Sequence, residues 1–170
     1  MKKLVFVIAL VAILGAGTAF AADPRPDGLG IGIVGAGHSG WTGWGGFGYQ
    51  YGLALAMADT YWGIRVGFPG NNIFVGVTGD FLTLLGGTFA GTPLGFYIDA
   101  GLFGNIWLGG DAISLGGGAR LPIGLNLNFN IVDFWLAIVP SIGVNVNLGA
   151  GDTINIGGGW GPEIGVRVWF

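Results

Sequence analysis

Six charged side chains fall inside the regularly alternating stretches of this chain: Arg65, Arg120 and Arg167, with Asp80, Asp99 and Glu163. Carboxylates held close together are equipment for acid–base chemistry, and Asp80 with Asp99 would serve if one were kept protonated. Three arginines against three acids suggest something simpler, mutual ion pairing in a place that bulk water does not reach. A second constellation is the one histidine, His38, beside Ser39, with Asp111 and Asp152 in other turn-like stretches. Serine, histidine and a carboxylate within hydrogen-bond reach would make a hydrolase or acyltransferase. Adjacent residues of an extended chain point apart, however, and a solvated loop histidine is the simpler reading. Gly30-Ile-Gly-Ile-Val-Gly35 matches a dinucleotide fingerprint, but no helix-forming stretch follows, and 38 glycines make such a match ordinary. No metal-ligand spacing is present and cysteine is absent, so no catalytic residue, metal or other cofactor is expected.

The segments that must position the six charges alternate with a period of two. In Thr153–Phe170 one set of alternate residues is Ile154, Ile156, Gly158, Trp160, Pro162, Ile164, Val166, Val168 and Phe170. The interleaved set is small or polar and carries Glu163 and Arg167. Such a period marks a β-strand lying between an apolar and a polar medium. The polar face is mostly glycine and asparagine, unlike the charged exterior of a soluble sandwich. It reads as the wall of a narrow lumen, with the apolar face turned to lipid. Eight segments of this kind follow one another, at residues 28–35, 44–57, 60–68, 72–84, 94–107, 112–129, 134–148 and 153–170, with short turn signals between them. Every strand charge falls opposite the apolar residues of its segment; Asp23, Asp27, Asp59, Asp111, Asp133 and Asp152 are assigned to the lead or to turns. A basic residue on the lipid face would cost about 2–4 kcal/mol at the midplane, so this sorting fixes the phase.

Composition narrows the class further. Only 9% of the 170 residues are charged, too few to hydrate a soluble surface well. Yet no internal apolar run approaches the roughly 18–20 residues of a membrane helix. A membrane protein without helical spans must be a closed barrel, because lipid offers nothing to unpaired backbone groups. The expected fold is all-β: an eight-stranded antiparallel up-and-down transmembrane β-barrel spanning residues 28–170. Residues 1–21 read as a cleavable signal peptide, with Lys2 and Lys3, an apolar stretch from Leu4 to Ala16, and Ala19-Phe20-Ala21 before the cleavage point. Residues 22–27 read as a short periplasmic lead. Without the signal the chain has four arginines against nine acids, a formal charge of −5, so nucleic acid is not an expected partner.

Eight strands enclose a space just wide enough for side chains. Arg65, Asp80, Asp99, Arg120, Glu163 and Arg167 are therefore expected to form a paired interior network that largely closes the lumen. The inward glycines reduce side-chain volume and leave room for water or a thin ligand. Trp62, Phe129, Phe134 and Phe170 fall at the rim expected to face the periplasm.

The ending Ile164-Gly-Val-Arg-Val-Trp-Phe170 resembles the signal that the outer-membrane assembly machinery reads on its barrel clients. The runs Gly118-Ala-Arg-Leu-Pro-Ile-Gly-Leu125 and Phe134-Trp-Leu-Ala-Ile-Val-Pro140 resemble the sixth and seventh strands of small OmpA-like barrels, including uncharacterised spirochaetal ones. The resemblance covers the last third well and is confined to the barrel, without the peptidoglycan-binding domain of full-length OmpA. It implies a place in the bacterial outer membrane, with Ile164, Val166, Val168 and Phe170 as the assembly signal. The implied partners are outer-membrane lipid, the barrel assembly machinery and periplasmic chaperones, and a monomer is expected. The expected function is structural, a non-enzymatic contribution to envelope integrity. The alternatives are an OmpW-like, porin-like conduit for small or hydrophobic solutes, a membrane lipid-modifying enzyme, and a secreted glycine-rich protein that assembles into β-fibres.

Overall fold

Alternation along the chain becomes strands, and the strands close on themselves. The computed structural model describes residues 25–26, 28–38, 48–57, 60–68, 71–109, 112–149 and 153–170. Its strands are β1 (Gly30–His38), β2 (Gly48–Met57), β3 (Thr60–Gly67), β4 (Ile73–Thr88), β5 (Leu94–Gly109), β6 (Ala112–Arg120), β7 (Ile123–Asn128), β8 (Val132–Leu148) and β9 (Thr153–Trp169). Every pairing is antiparallel, and β1 pairs with β9 from Gly30↔Trp169 to Ala36↔Glu163, which closes the ring. Both β6 and β7 lie between β5 and β8, as two halves of one stave. The barrel therefore has eight staves. The break falls at Leu121-Pro122, where proline has no N–H to give the ladder. Continuity survives because the Asp99 N–H donates to the Pro122 carbonyl and the Leu121 N–H to the Pro140 carbonyl, each at 2.9 Å.

Up-and-down order puts the start of β1, the end of β9 and the connections at 57–60, 88–94 and 128–132 at one end, called the lower end below. The connection after β4 is a hairpin in which the Phe89 N–H donates to the Leu94 carbonyl at 2.9 Å and the Thr92 hydroxyl to the Phe89 carbonyl at 2.8 Å. The connection before β8 turns on Asn130, whose φ of 62° is a conformation asparagine tolerates.

The outer surface is the apolar one. Ile33, Leu53, Ile138, Ile142 and Ile164 all point outward and exposed, while the residues between them are covered. Such a face suits hydrocarbon, and the expected phase is the observed one. Trp62, Phe129, Phe134 and Phe170 are exposed at the lower rim, with Trp62 edge-on to Phe81 at 5.2 Å and Phe129 to Phe134 at 6.3 Å.

Strand limits differ from the expected ones in ways that matter for the interior. The first strand runs past residue 35 to His38, and the fourth continues past residue 84 to Thr88 by way of irregularities between Asp80 and Leu82 and between Thr83 and Leu85. The irregularity turns Phe81 and Leu82 outward together and still brings Thr83 inside. The eighth strand begins at Val132, so Asp133 is not a turn residue: it pairs with Arg167 of β9 in register and is fully buried. The signal-peptide reading and residues 44–47 of the second segment lie outside the described residues.

Candidate functional site: the barrel interior

Register explains how long charged side chains fit between staves. Arg65 faces Gly52 and Gly76, Arg120 faces Gly101 and Ser141, and Glu163 faces Ala36 and Ala137. Each projects inward past small neighbours. Arg65 Nη2 lies 2.7 Å from Glu163 Oε1, and Arg120 Nη2 lies 2.9 Å from the same oxygen and donates to Oε2 at 3.0 Å. Arg120 Nε lies 3.0 Å from Asp80 Oδ1, and Arg65 Nη2 donates to the Thr78 hydroxyl at 3.4 Å. A chain of charge, Arg65–Glu163–Arg120–Asp80, thus reaches across the lumen from β3 through β9 and β6 to β4. All four residues are buried.

The other two expected members, Asp99 and Arg167, lie below this cluster and pair with residues outside the expected six. Arg167 Nη1 is 3.9 Å from Asp133 Oδ2, and the Trp169 indole N–H donates to Asp133 Oδ1 at 2.7 Å. The Arg167 guanidinium carbon also lies 4.6 Å from the Trp135 ring centroid and 5.0 Å from that of Tyr61. Asp99 takes Arg25, from the segment expected to be a polar lead, at 2.7 Å. Among the described residues there are four arginines and four carboxylates, all buried inside the barrel.

Both unexpected members had a signal in the sequence. Asp133 has the inward parity of Trp135, Ala137 and Val139, and extending the alternation two residues would have included it. With a fourth acid inside, a fourth cation is needed, and Arg25 is the one remaining arginine of the chain.

The cluster separates two small cavities. The upper, of about 80 Å³, is lined by Gln50, Phe74, Asn105, Trp107 and Asn145; the lower, of about 40 Å³, by Arg25, Tyr61, Tyr97, Asp99 and Arg167. Arg65, Arg120 and Glu163 border both. At roughly 10–15 Å³ per water, these spaces hold only a handful of waters each. The upper wall is an uncharged hydrogen-bonded set: the Ser114 hydroxyl bonds to Asn147 Oδ1, Asn145 Nδ2 donates to the same oxygen at 3.2 Å, and Asn147 Nδ2 donates to the Thr153 hydroxyl at 3.0 Å.

The room expected of the inward glycines remains at Gly161, beside the upper cavity, and is filled at others. Gly165 stands opposite Trp135 and Gly124 opposite Tyr97 in register, and each space is taken by the neighbouring ring. A Cβ on Gly124 would come within 2.6 Å of the Tyr97 hydroxyl. Glycine here is the counterpart of a large side chain on the next stave.

The remaining candidates separate. Asp80 and Asp99 each have their own arginine, Arg120 and Arg25. Gly30 to Gly35 lies within strand β1, so the fingerprint-like run has no helix to open. His38 ends β1, whereas Ser39, Asp111 and Asp152 lie outside the described residues. Ile164, Val166 and Val168 alternate on the outer face of β9, with Phe170 exposed just past its end. Among the described residues no group of His, Cys, Asp or Glu is placed to hold a metal ion.

A closed ring of eight antiparallel staves, apolar outside and polar inside, is the fold of the smallest outer-membrane barrels. A solved structure agrees at that level. The chain is similar to the crystal structure of Neisserial surface protein A, with a TM-score of 0.52, 16% sequence identity, and coverage of 85% of this chain and 98% of that one. At that identity the likeness is one of fold. No protein family and no curated protein matches the chain.

Proposed function

We propose that this protein is a structural barrel of the bacterial outer membrane, of the small OmpA-like kind, whose salt-bridged interior holds the lumen shut and whose role is envelope integrity rather than catalysis. The observation that carries this reading is the Arg65–Glu163–Arg120–Asp80 chain, which crosses the lumen between two small cavities. Support for the location comes from the apolar outer face and from the fold shared with a Neisserial surface protein. The outward alternation of Ile164, Val166, Val168 and Phe170 fits an assembly signal read on the last strand. The lower end then faces the periplasm, and the partners are outer-membrane lipid, periplasmic chaperones and the assembly machinery, with the barrel itself a monomer.

Planar-bilayer recording of the purified protein tests the closed lumen. Wild type gives no discrete openings, and Arg120→Ala, which removes the central cation of the chain, gives openings or raised leak. Stable unitary conductance in the wild type would replace this reading with that of a narrow conduit.

A further inference from the structure

The lower chamber is furnished as a receptor for a planar cation. Arg25 Nη1 donates to Asp99 Oδ2 at 2.7 Å and Nη2 to Asp99 Oδ1 at 3.1 Å, a two-pronged pair, and Nη2 also donates to the Thr83 hydroxyl at 3.2 Å. The guanidinium carbon lies 3.5 Å from the Tyr61 ring centroid and 4.4 Å from that of Tyr97. A carboxylate fork in the plane and aromatic faces against it suit a guanidinium better than an ammonium or a neutral amide.

Every component of this receptor belongs to the wall. Asp99 and Tyr97 lie on β5, Thr83 on β4 and Tyr61 on β3; the Asp99 backbone is tied to Pro122, and Tyr97 sits in the space left by Gly124. The occupant does not belong to the wall. The β1 ladder begins at Gly30, and just ahead of it the Phe170 N–H donates to the Leu29 carbonyl at 2.9 Å. Gly28, at φ +119°, turns the chain back into the lumen, and a Cβ there would meet the Phe170 carbonyl at 2.9 Å. The receptor belongs to the staves, and its ligand reaches it from ahead of the first strand.

We propose that Asp99, Thr83, Tyr61 and Tyr97 form a guanidinium-binding site at the lower mouth, occupied by Arg25 as an intramolecular ligand. When the arm swings out on Gly28, the site takes the guanidinium of a solute or of an arginine on another chain. This goes beyond the structural reading and is independent of it, because the charge chain that closes the lumen lies above the chamber.

The test uses the full chain refolded in lipid vesicles, with methylguanidinium as the probe and methylurea as its neutral counterpart. Arg25→Ala lowers the urea midpoint, and millimolar methylguanidinium raises it again saturably while methylurea does not. Adding Asp99→Asn to Arg25→Ala abolishes the response. Should Arg25→Ala fold poorly, the same comparison is read as refolding yield. A short arginine peptide in place of methylguanidinium separates the two sources: rescue by the peptide admits another chain, and rescue by the small ion alone restricts the site to solutes. Equal effects of methylguanidinium and methylurea, or an undiminished response after Asp99→Asn, would overturn the proposal, as would an Arg25→Ala midpoint equal to that of wild type.

Discussion

Glu163→Gln is the substitution that most sharply probes the interior. Glu163 holds Arg65 at 2.7 Å and Arg120 at 2.9 Å in a place almost without solvent. The change preserves shape, so packing is retained, but it sets an amide N–H₂ against guanidinium donors and leaves Arg120 with Asp80 and Arg65 with the Thr78 hydroxyl. Removing one partner of a buried pair costs about 3–5 kcal/mol, because the remaining charge stays buried, whereas an exposed surface pair is worth about 0–1 kcal/mol. With a urea m-value of about 2 kcal/mol/M, a loss of about 4 kcal/mol lowers the unfolding midpoint by about 2 M. The assay is a urea titration of protein refolded in vesicles, with the folded fraction read from its faster migration in unheated gels. Arg65→Ala and the double variant complete the cycle, and strong coupling between the two positions is expected. A Glu163→Gln midpoint equal to that of wild type would mean that the cluster is hydrated and energetically idle.

Two further changes test the packing around that cluster. Gly124→Val forces a branched side chain into the space of the Tyr97 ring and should destabilise the barrel by about 1–3 kcal/mol, the usual cost of overpacking; an unchanged midpoint would mean the ring is free to move. Asp133→Asn should cost less than Glu163→Gln, because Arg167 stands 3.9 Å away rather than in contact and the Trp169 bond can still be accepted; a reversed order in the same titration would contradict this.

The outer face was legible because lipid tolerates so little: a period of two that keeps every strand charge off the apolar face fits hardly anything but a wall between hydrocarbon and a lumen, and eight segments emerged as eight staves. The composition of the interior was legible in part. Arg65, Asp80, Arg120 and Glu163 lie within the expected alternating segments, where parity alone decides the face, and they meet. Asp133 stands at a strand end, where turn and strand share the same residue types, and its inward parity went unused. Arg25 lies outside any alternating segment, and its burial depends on the backbone reversal at Gly28, which no periodicity records. Glycine was legible in part: room remains at Gly161 beside the upper cavity, whereas Gly165 and Gly124, paired across the register with Trp135 and Tyr97, are where neighbouring rings fit.

Which face of the wall meets lipid is the claim everything else depends on, and single-cysteine labelling in vesicles measures it directly, with no native cysteine to interfere. A bimane attached at Ile123 or Val144 should be quenched by nitroxide-bearing lipid, and one at Ser141 or Asn145 should not. Quenching at Asn145 together with protection at Val144 would invert the barrel wall and contradict the account.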